Sequence, residues 1–167
     1  MLRTHTCGEL NSQNIGQEVT LCGWVDSTRD HGGAVFIDLR DRYGKTQIVF
    51  GPDSGEQNIA AAGELRNEDV ILVTGKVAPR PEGTTNDKLS TGEIELRGSL
   101  LEVLNKSLTP AFTPSQKDLP GEDLRLKYRF LDLRRPAMQE VLALRNRIIK
   151  GMRDYFEKHD FVDIETP

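Results

Sequence analysis

The stretch "AVFIDLRDRYGKTQIVF", residues 34 to 50, sets Val35, Ile37 and Leu39 against Phe36, Asp38 and Arg40. A period of two is the pattern of a half-buried strand. Val, Ile and Leu take the core face, which leaves Phe36 on the other face, in line with an acid and a guanidinium. "DRYG" at 41 to 44, where Gly44 permits a positive φ, turns the chain into a partner strand. Upstream, "VTLCGWVDS" (19 to 27) alternates Val19, Leu21, Gly23 and Val25 with Thr20, Cys22 and Trp24. "VILVTGKV" (70 to 77) and "GEIELRGSLLEVLN" (92 to 105) predict two more strands, the second bulged at Gly98. Between the two groups of strands, "EQNIAAAGELRNED" (56 to 69) places Ile59, Ala62 and Leu65 near helical spacing, although Gly63 weakens it.

Three strands, a helix and two strands are the layout of a five-stranded Greek-key barrel, the OB-fold. A β-sandwich would require about seven strands and no helix. The fold class expected is therefore mainly β. Two loops, "STRDHGG" (27 to 33) and "PRPEGTTNDKLSTG" (79 to 92), lie where such a barrel flanks its oligonucleotide-binding face.

From Lys106 the pattern changes. "NKSLTPAFTPSQKDLPGED" (105 to 123) carries three prolines and no periodicity, the composition of a linker. "LRLKYRFLDLRRP" (124 to 136) interleaves Arg125, Lys127, Arg129, Arg134 and Arg135 with Leu126, Tyr128, Phe130 and Leu133. Those cations read either as a solvated face paired with Asp123 and Asp132 or as one side of an interface. Pro136 suits the first position of a helix. Apolar residues from Met138 to Phe156 then recur at steps of three and four, which predicts an amphipathic helix over 137 to 159. "FVDIETP" (161 to 167) predicts one more strand, ended by Pro167, and a helix with a single strand closes no core of its own. The expected organisation is a barrel over 1–105, a linker over 106–123 and the opening of a second domain over 124–167.

Charge and composition narrow the function. The 167 residues carry a net charge of −4. Residues 1–105 hold 10 Lys or Arg against 16 Asp or Glu, a net of −6, so the barrel lacks the broad basic footprint of a general nucleic-acid binder. Any polyanion must be bound locally. No apolar run approaches the roughly 20 residues needed to cross a bilayer, and the start, "MLRTHTCGEL", lacks the apolar stretch of a signal peptide. Cys7 and Cys22 suit no zinc site and read as reduced thiols of a cytoplasmic protein. His5, His31 and His159 fall in different segments, and no phosphate-binding Gly-rich loop or nucleophile elbow is present. Acids such as Asp38 and Asp41 read as solvated surface. No catalytic residue, metal site or cofactor is expected within this chain.

Binding chemistry is better represented. Phe36 on an outer barrel face, with Arg29 and Arg80 in the flanking loops, makes a stacking platform bordered by guanidinium groups. Stacking of a base on an aromatic ring contributes roughly 1–3 kcal/mol and requires no particular sequence. Gln47 on the neighbouring strand offers a donor and an acceptor to a base edge. The pattern supports equally a Phe36 covered by another segment in a second small core.

Taken together, "VTLCGWV", "FIDLRDR", "LRNED", "TGEIEL", "LRLKYRFLDLRRP" and "FVDIETP" closely resemble the N-terminal part of bacterial-type aspartyl-tRNA synthetase over essentially the whole chain. The resemblance implies an OB-fold that binds the tRNA anticodon, then a hinge and the first helix and strand of a class II catalytic domain. It implies that Phe36 stacks on an anticodon base, that Gln47 reads a base edge and that Arg29 helps to hold the third base. Arg80, Asn86 and Glu95 lie where the family makes further contacts. Ser27 and Thr28 stand where many relatives carry arginines, which lowers the expected phosphate affinity and salt dependence. His31 within "RDHGG" and Gly83 within "RPEGT" resemble the non-discriminating enzymes that charge both the aspartate and the asparagine tRNA. "FVDIETP" resembles the end of motif 1, which implies a homodimer interface including Arg145, Ile149, Phe161 and Pro167. The full-length enzyme would use ATP and magnesium. Its motifs for ATP and aspartate lie beyond this stretch, so the chain alone is expected to be inactive. The expected partners are tRNA(Asp), with tRNA(Asn) as a further candidate, and no DNA or membrane. Two alternatives remain: a free-standing OB-fold module for single-stranded nucleic acid, without ligase activity, and a lysyl or asparaginyl synthetase, against which "LDLRRP" argues.

Overall fold

The alternating segments form five strands. A computed structural model describes residues 2–166. Strands β1 (Glu18–Asp30), β2 (Val35–Arg40), β3 (Lys45–Phe50), β4 (Val70–Pro79) and β5 (Ile94–Asn105) close a barrel in the order β1-β2-β3-β5-β4. All pairings are antiparallel except the closing one, β3 with β5, which is parallel. The inward sides of the strands supply the core: Val19, Leu21 and Val25, then Val35, Ile37 and Leu39, then Ile48 and Phe50, Ile71 and Val73, Ile94 and Leu96. Helix α1 (Glu56–Gly63) lies between β3 and β4 and adds Ala62 and Ile59 to the same cluster.

Within the barrel, three details depart from the sequence reading. The helix expected over 56–69 stops at Gly63, because Leu65 to Asp69 instead make a turn in which the Asp69 carboxylate accepts the Arg66 amide at 2.9 Å. Strand β1 is longer than 19–27. The register slips between Val25 and Ser27, leaving Asp26 as an extra residue, and pairing then continues to Asp30. Asp38 and Asp41 are not free surface acids: the Asp38 side chain is 19% exposed and paired with Arg29, and Asp41 is buried. Asp41 accepts the amides of Cys7, Tyr43 and Gly44 and pairs with Arg3, which ties the N-terminal segment to the β2–β3 turn.

The expected bulge near Gly98 is present as a register slip between Thr74 and Gly75, whose partners are Leu100 and Gly98. Here glycine is required by space. A Cβ on residue 98 would fall on the ring of Phe50, which is fully buried.

The chain divides into two compact units, Met1–Thr113 and Pro114–Pro167. In the second, helices α2 (Glu122–Lys127) and α3 (Arg129–Asp132) precede the long α4 (Pro136–Glu157), with Pro136 in its first turn. Asp132 is fully buried and gathers Arg129 at 2.5 Å, Arg135 at 3.0 Å and Arg125 at 3.9 Å. Three of the five cations of the Arg-rich stretch therefore converge on one carboxylate, which offsets a single positive charge. Residues 161–166 carry no strand, contrary to expectation. Phe161 instead packs edge-on against Phe156, with centroids 5.5 Å apart, and Asp163 pairs with Arg153 at 2.8 Å. A lone strand with no neighbour to satisfy its amides has no reason to form.

Gly98→Ala is expected to destabilise the barrel by about 1–3 kcal/mol, the cost of overpacking a filled core. Pairing it with Phe50→Leu should relieve part of that cost, a non-additivity that urea melts of the two single variants and the double variant would measure.

Candidate nucleic-acid interface

The outer face of β1, β2 and β3 is built by register. Phe36 stands opposite Arg29 on β1 and Val49 on β3, while Asp38 stands opposite Ser27 and Gln47. Arg29 therefore lies on a strand, directly beside the aromatic ring, rather than in a loop. The Asp26 bulge shifts the register by one residue, which brings Arg29 rather than Thr28 opposite Phe36.

Phe36 is partly exposed. The His31 ring stands nearly perpendicular to it, at 85° with centroids 5.3 Å apart. His31 itself is exposed in a tight turn in which its amide donates to the Ala34 carbonyl at 3.0 Å, and Gly32 and Gly33 both take positive φ.

The polar residues around the ring hold one another. Arg29 Nη2 donates to both Asp38 oxygens at 3.1 and 3.2 Å, and Ser27 Oγ donates to Asp38 Oδ2 at 2.8 Å. Gln47 Nε2 donates to Glu95 Oε2 at 3.4 Å, and Glu95 also faces Arg97 Nε at 3.6 Å. Gln47 and Glu95 are both buried. With one amide hydrogen committed to Glu95, Gln47 keeps its carbonyl oxygen as an acceptor.

Arg80 reaches the same neighbourhood from the second loop. Its Nε donates to the Ile94 carbonyl at 3.1 Å and its Nη1 to the Thr84 carbonyl at 3.4 Å, while Nη2 is buried without a hydrogen bond. Burial lowers its pKa, a shift that Asp38 and Glu95 oppose and Arg29 reinforces. Those are the charges of the platform, so Arg80 belongs to the same electrostatic group.

Six of the expected residues, Arg29, His31, Phe36, Gln47, Arg80 and Glu95, thus share one side of the barrel. Gly83 and Asn86 have other roles. Gly83, at φ +79°, completes a turn in which Thr84 N donates to the Pro81 carbonyl at 3.1 Å, the geometry of a type II turn. Asn86 shapes the loop: its Oδ1 accepts the Lys88 amide at 3.1 Å and its backbone pairs with Gly92. Asp38, which orients Arg29, escaped the sequence reading, although its place two residues from Phe36 on an alternating strand was the available signal.

In the second unit, Arg145 and Ile149 are exposed on α4, and Phe161 is 65% exposed just beyond it. Ile149, Met152, Phe156 and Phe161 line a groove of about 730 Å³. Pro167 lies outside the described residues. Among the described residues no group of three or more His, Cys, Asp or Glu is placed to hold a metal ion. Among the described residues no helix is long and apolar enough to cross a membrane.

Comparison with known proteins supplies a context for this face. The family of OB-fold nucleic acid binding domains matches residues 19–104, and the family of class II tRNA synthetases (D, K and N) matches residues 121–167. An aspartate–tRNA(Asp/Asn) ligase of Rhodopirellula baltica is 66% identical over the whole of this chain, which spans 28% of that relative. One of Halothermothrix orenii is 53% identical over 99% of the chain, again 28% of the relative. Among solved structures, asparaginyl-tRNA synthetase from Pyrococcus horikoshii with asparaginyl-adenylate superposes with a TM-score of 0.83 at 24% identity, over 100% of this chain and 37% of that one. Aspartyl-tRNA synthetase from Entamoeba histolytica gives 0.82 at 20% identity, over 95% of this chain and 38% of that one. At such identities the two structures speak for the fold alone.

Proposed function

We propose that this chain, which belongs to the family of OB-fold nucleic acid binding domains and carries the start of a class II tRNA synthetase domain, is the anticodon-reading end of an aspartate–tRNA ligase. The observation that carries the reading is Phe36, partly exposed between Arg29 and Val49 on the outer face of a closed barrel. The likeness to ligases at 66% and 53% identity over the whole chain favours it over a free-standing single-strand-binding module.

Each side chain has a physical task in this reading. An anticodon base stacks on the Phe36 ring. Arg29, held by Asp38, offers its remaining guanidinium hydrogens to a base or phosphate beside that ring. The Gln47 carbonyl, fixed by the bond from its amide to Glu95, accepts from a base edge. Arg80 brings positive charge to a face where Asp38 and Glu95 would otherwise repel the RNA. In the whole protein, aspartate would be activated with ATP and magnesium and joined to tRNA(Asp) in the cytoplasm. No step of that chemistry is assigned to the residues described here. The apolar face of α4, with Leu142, Ile148, Ile149 and Met152 exposed, is suited to a homodimer contact that also involves Arg145 and Phe161.

His31 extends the reading to tRNA(Asn), which differs from tRNA(Asp) at the third anticodon base. Cytosine presents an amino donor and a bare ring nitrogen, whereas uracil presents a carbonyl and a ring N–H. Neutral imidazole has one donor and one acceptor nitrogen and can turn either toward a base. The exposed His31 ring stands at the edge of the Phe36 platform, where it would meet a neighbouring base. Gly83 leaves the facing loop without a side chain at its turn.

Two variants test these assignments. Phe36→Ala should weaken binding of an aspartate anticodon stem-loop by about 1–3 kcal/mol while leaving the denaturant midpoint nearly unchanged. A loss of stability with unaltered binding would reject the stacking role. In the full-length enzyme, His31→Leu should open a preference for tRNA(Asp) over tRNA(Asn) of about 1–3 kcal/mol, the scale of one good base contact. Comparing aspartylation rates of the two tRNAs would measure it. A parent enzyme that already rejects tRNA(Asn) a hundredfold would end this part of the reading.

A further inference from the structure

The register that sets Arg29 beside Phe36 continues across the closed barrel. Phe36 pairs with Val49, Val49 with Arg97 on β5, and Arg97 with Lys76 on β4. These residues share the outer face, because their neighbours Ile37, Ile48, Leu96 and Val77 are all buried in the core. The result is one row across the strands: Arg29, Phe36, Val49, Arg97, Lys76.

Neighbouring strands lie about 4.8 Å apart, so Arg97 is about 10 Å from Phe36 along the sheet and Lys76 one strand further. In a small barrel the strands are strongly tilted, and a row across them climbs obliquely instead of circling the waist. Arg97 and Lys76 therefore remain on the side of the platform rather than behind it.

Both side chains are available. Lys76 is exposed and has no ion pair among the described residues, although Glu18 stands opposite it on β1. The Arg97 side chain is 63% exposed, and its one ion pair, to Glu95, is made through Nε at 3.6 Å. The two terminal nitrogens of its guanidinium are left for another partner. Val49 between Phe36 and Arg97 is apolar and partly exposed, a floor for the sugar of a stacked nucleotide rather than for its charge.

We propose that Arg97 and Lys76 form a phosphate-binding extension of the Phe36 platform, so that a single RNA strand crosses the barrel from Arg29 toward Lys76 with its backbone on these two cations. The proposal rests on the anticodon reading and adds residues that the reading does not need. It also gives a barrel of net −6 the local positive charge that a polyanion requires. Glu95 then has two roles, bonding Gln47 at one oxygen and holding Arg97 at the other.

The test is the salt dependence of binding between the 167-residue chain and an RNA hairpin carrying an aspartate anticodon loop. For single strands each neutralised phosphate contributes roughly 0.7 to the slope of log K against log salt. The double variant Arg97→Ala/Lys76→Ala should lower the slope by about 1.4 on that basis and weaken binding about tenfold or more at low salt. Arg97→Lys with Lys76 intact should keep the wild-type slope. Phe36→Ala should lower affinity with the slope retained. If Phe36→Ala weakens binding while the double variant leaves the slope at its wild-type value, the extension is wrong and the platform stands. If wild-type binding is absent, or is indifferent to Phe36→Ala, the underlying reading falls and the extension with it. A double variant whose thermal melt matches wild type but whose slope drops supports the proposal, because a merely structural role would not move the slope.

Discussion

The barrel is closed by its shortest contact. Strands β3 and β5 meet in parallel over the pairs Ile48 with Leu96 and Val49 with Arg97, and that meeting depends on Phe50 and Gly98 sharing one space. The Phe50 ring lies fully buried where any side chain at residue 98 would project. Parallel pairing is slightly weaker per residue than antiparallel, so so short a seam draws its support from the packing beneath it. Above that seam, on the outer face, Gln47 meets Glu95 and Glu95 meets Arg97. A shift of one residue would turn every outer side chain of β5 inward. The polar contacts of the candidate interface therefore depend on an apolar fit on the other side of the sheet.

Most of this was open to reading from the chain, because a closed and mostly antiparallel barrel writes itself as alternation. The inner and outer residues of β2 follow directly from period two, and so does the position of Phe36. What the pattern could not supply was register. Nothing in "WVDSTRD" announces that Asp26 bulges, yet the bulge puts Arg29 on a strand opposite Phe36. Nor does a run of acids announce its contacts. Asp41 reads as surface until three backbone amides and Arg3 are seen to converge on it. The missing strand at 161–164 has the opposite cause: local propensity is present, but no neighbouring strand is supplied to pair with it.

The acids explain how a barrel of negative net charge can present a face to RNA. Asp26 is buried between Arg40 Nε at 3.0 Å and Lys45 Nζ at 2.5 Å, and Arg40 also donates to Glu68 at 2.5 Å. Asp69, 2% exposed, accepts the amides of Arg66 and Ser107 and so fixes the first residues after β5 to the barrel. Removing one member of such a buried group would leave the others uncompensated, a loss of about 3–5 kcal/mol for a broken pair. These carboxylates are structural parts of the barrel, and the tally of −6 overstates the repulsion that an RNA strand would meet at Phe36.

The platform itself has an economy that follows from the same arrangement. Arg29 and Gln47 are each held by a carboxylate before any ligand arrives, so little side-chain freedom is left to lose on binding. Asp38 and Glu95 reduce the net positive charge of the face while fixing the geometry of the groups that remain. On the proposed reading such a surface trades general affinity for polyanions against orientation: a nucleotide would gain only with its base on Phe36 and its edge matched to the side chains set around it. Electrostatic attraction beyond that of Arg29 and Arg80 would then come from cations lying off the platform, which is where the register of β5 and β4 puts Arg97 and Lys76.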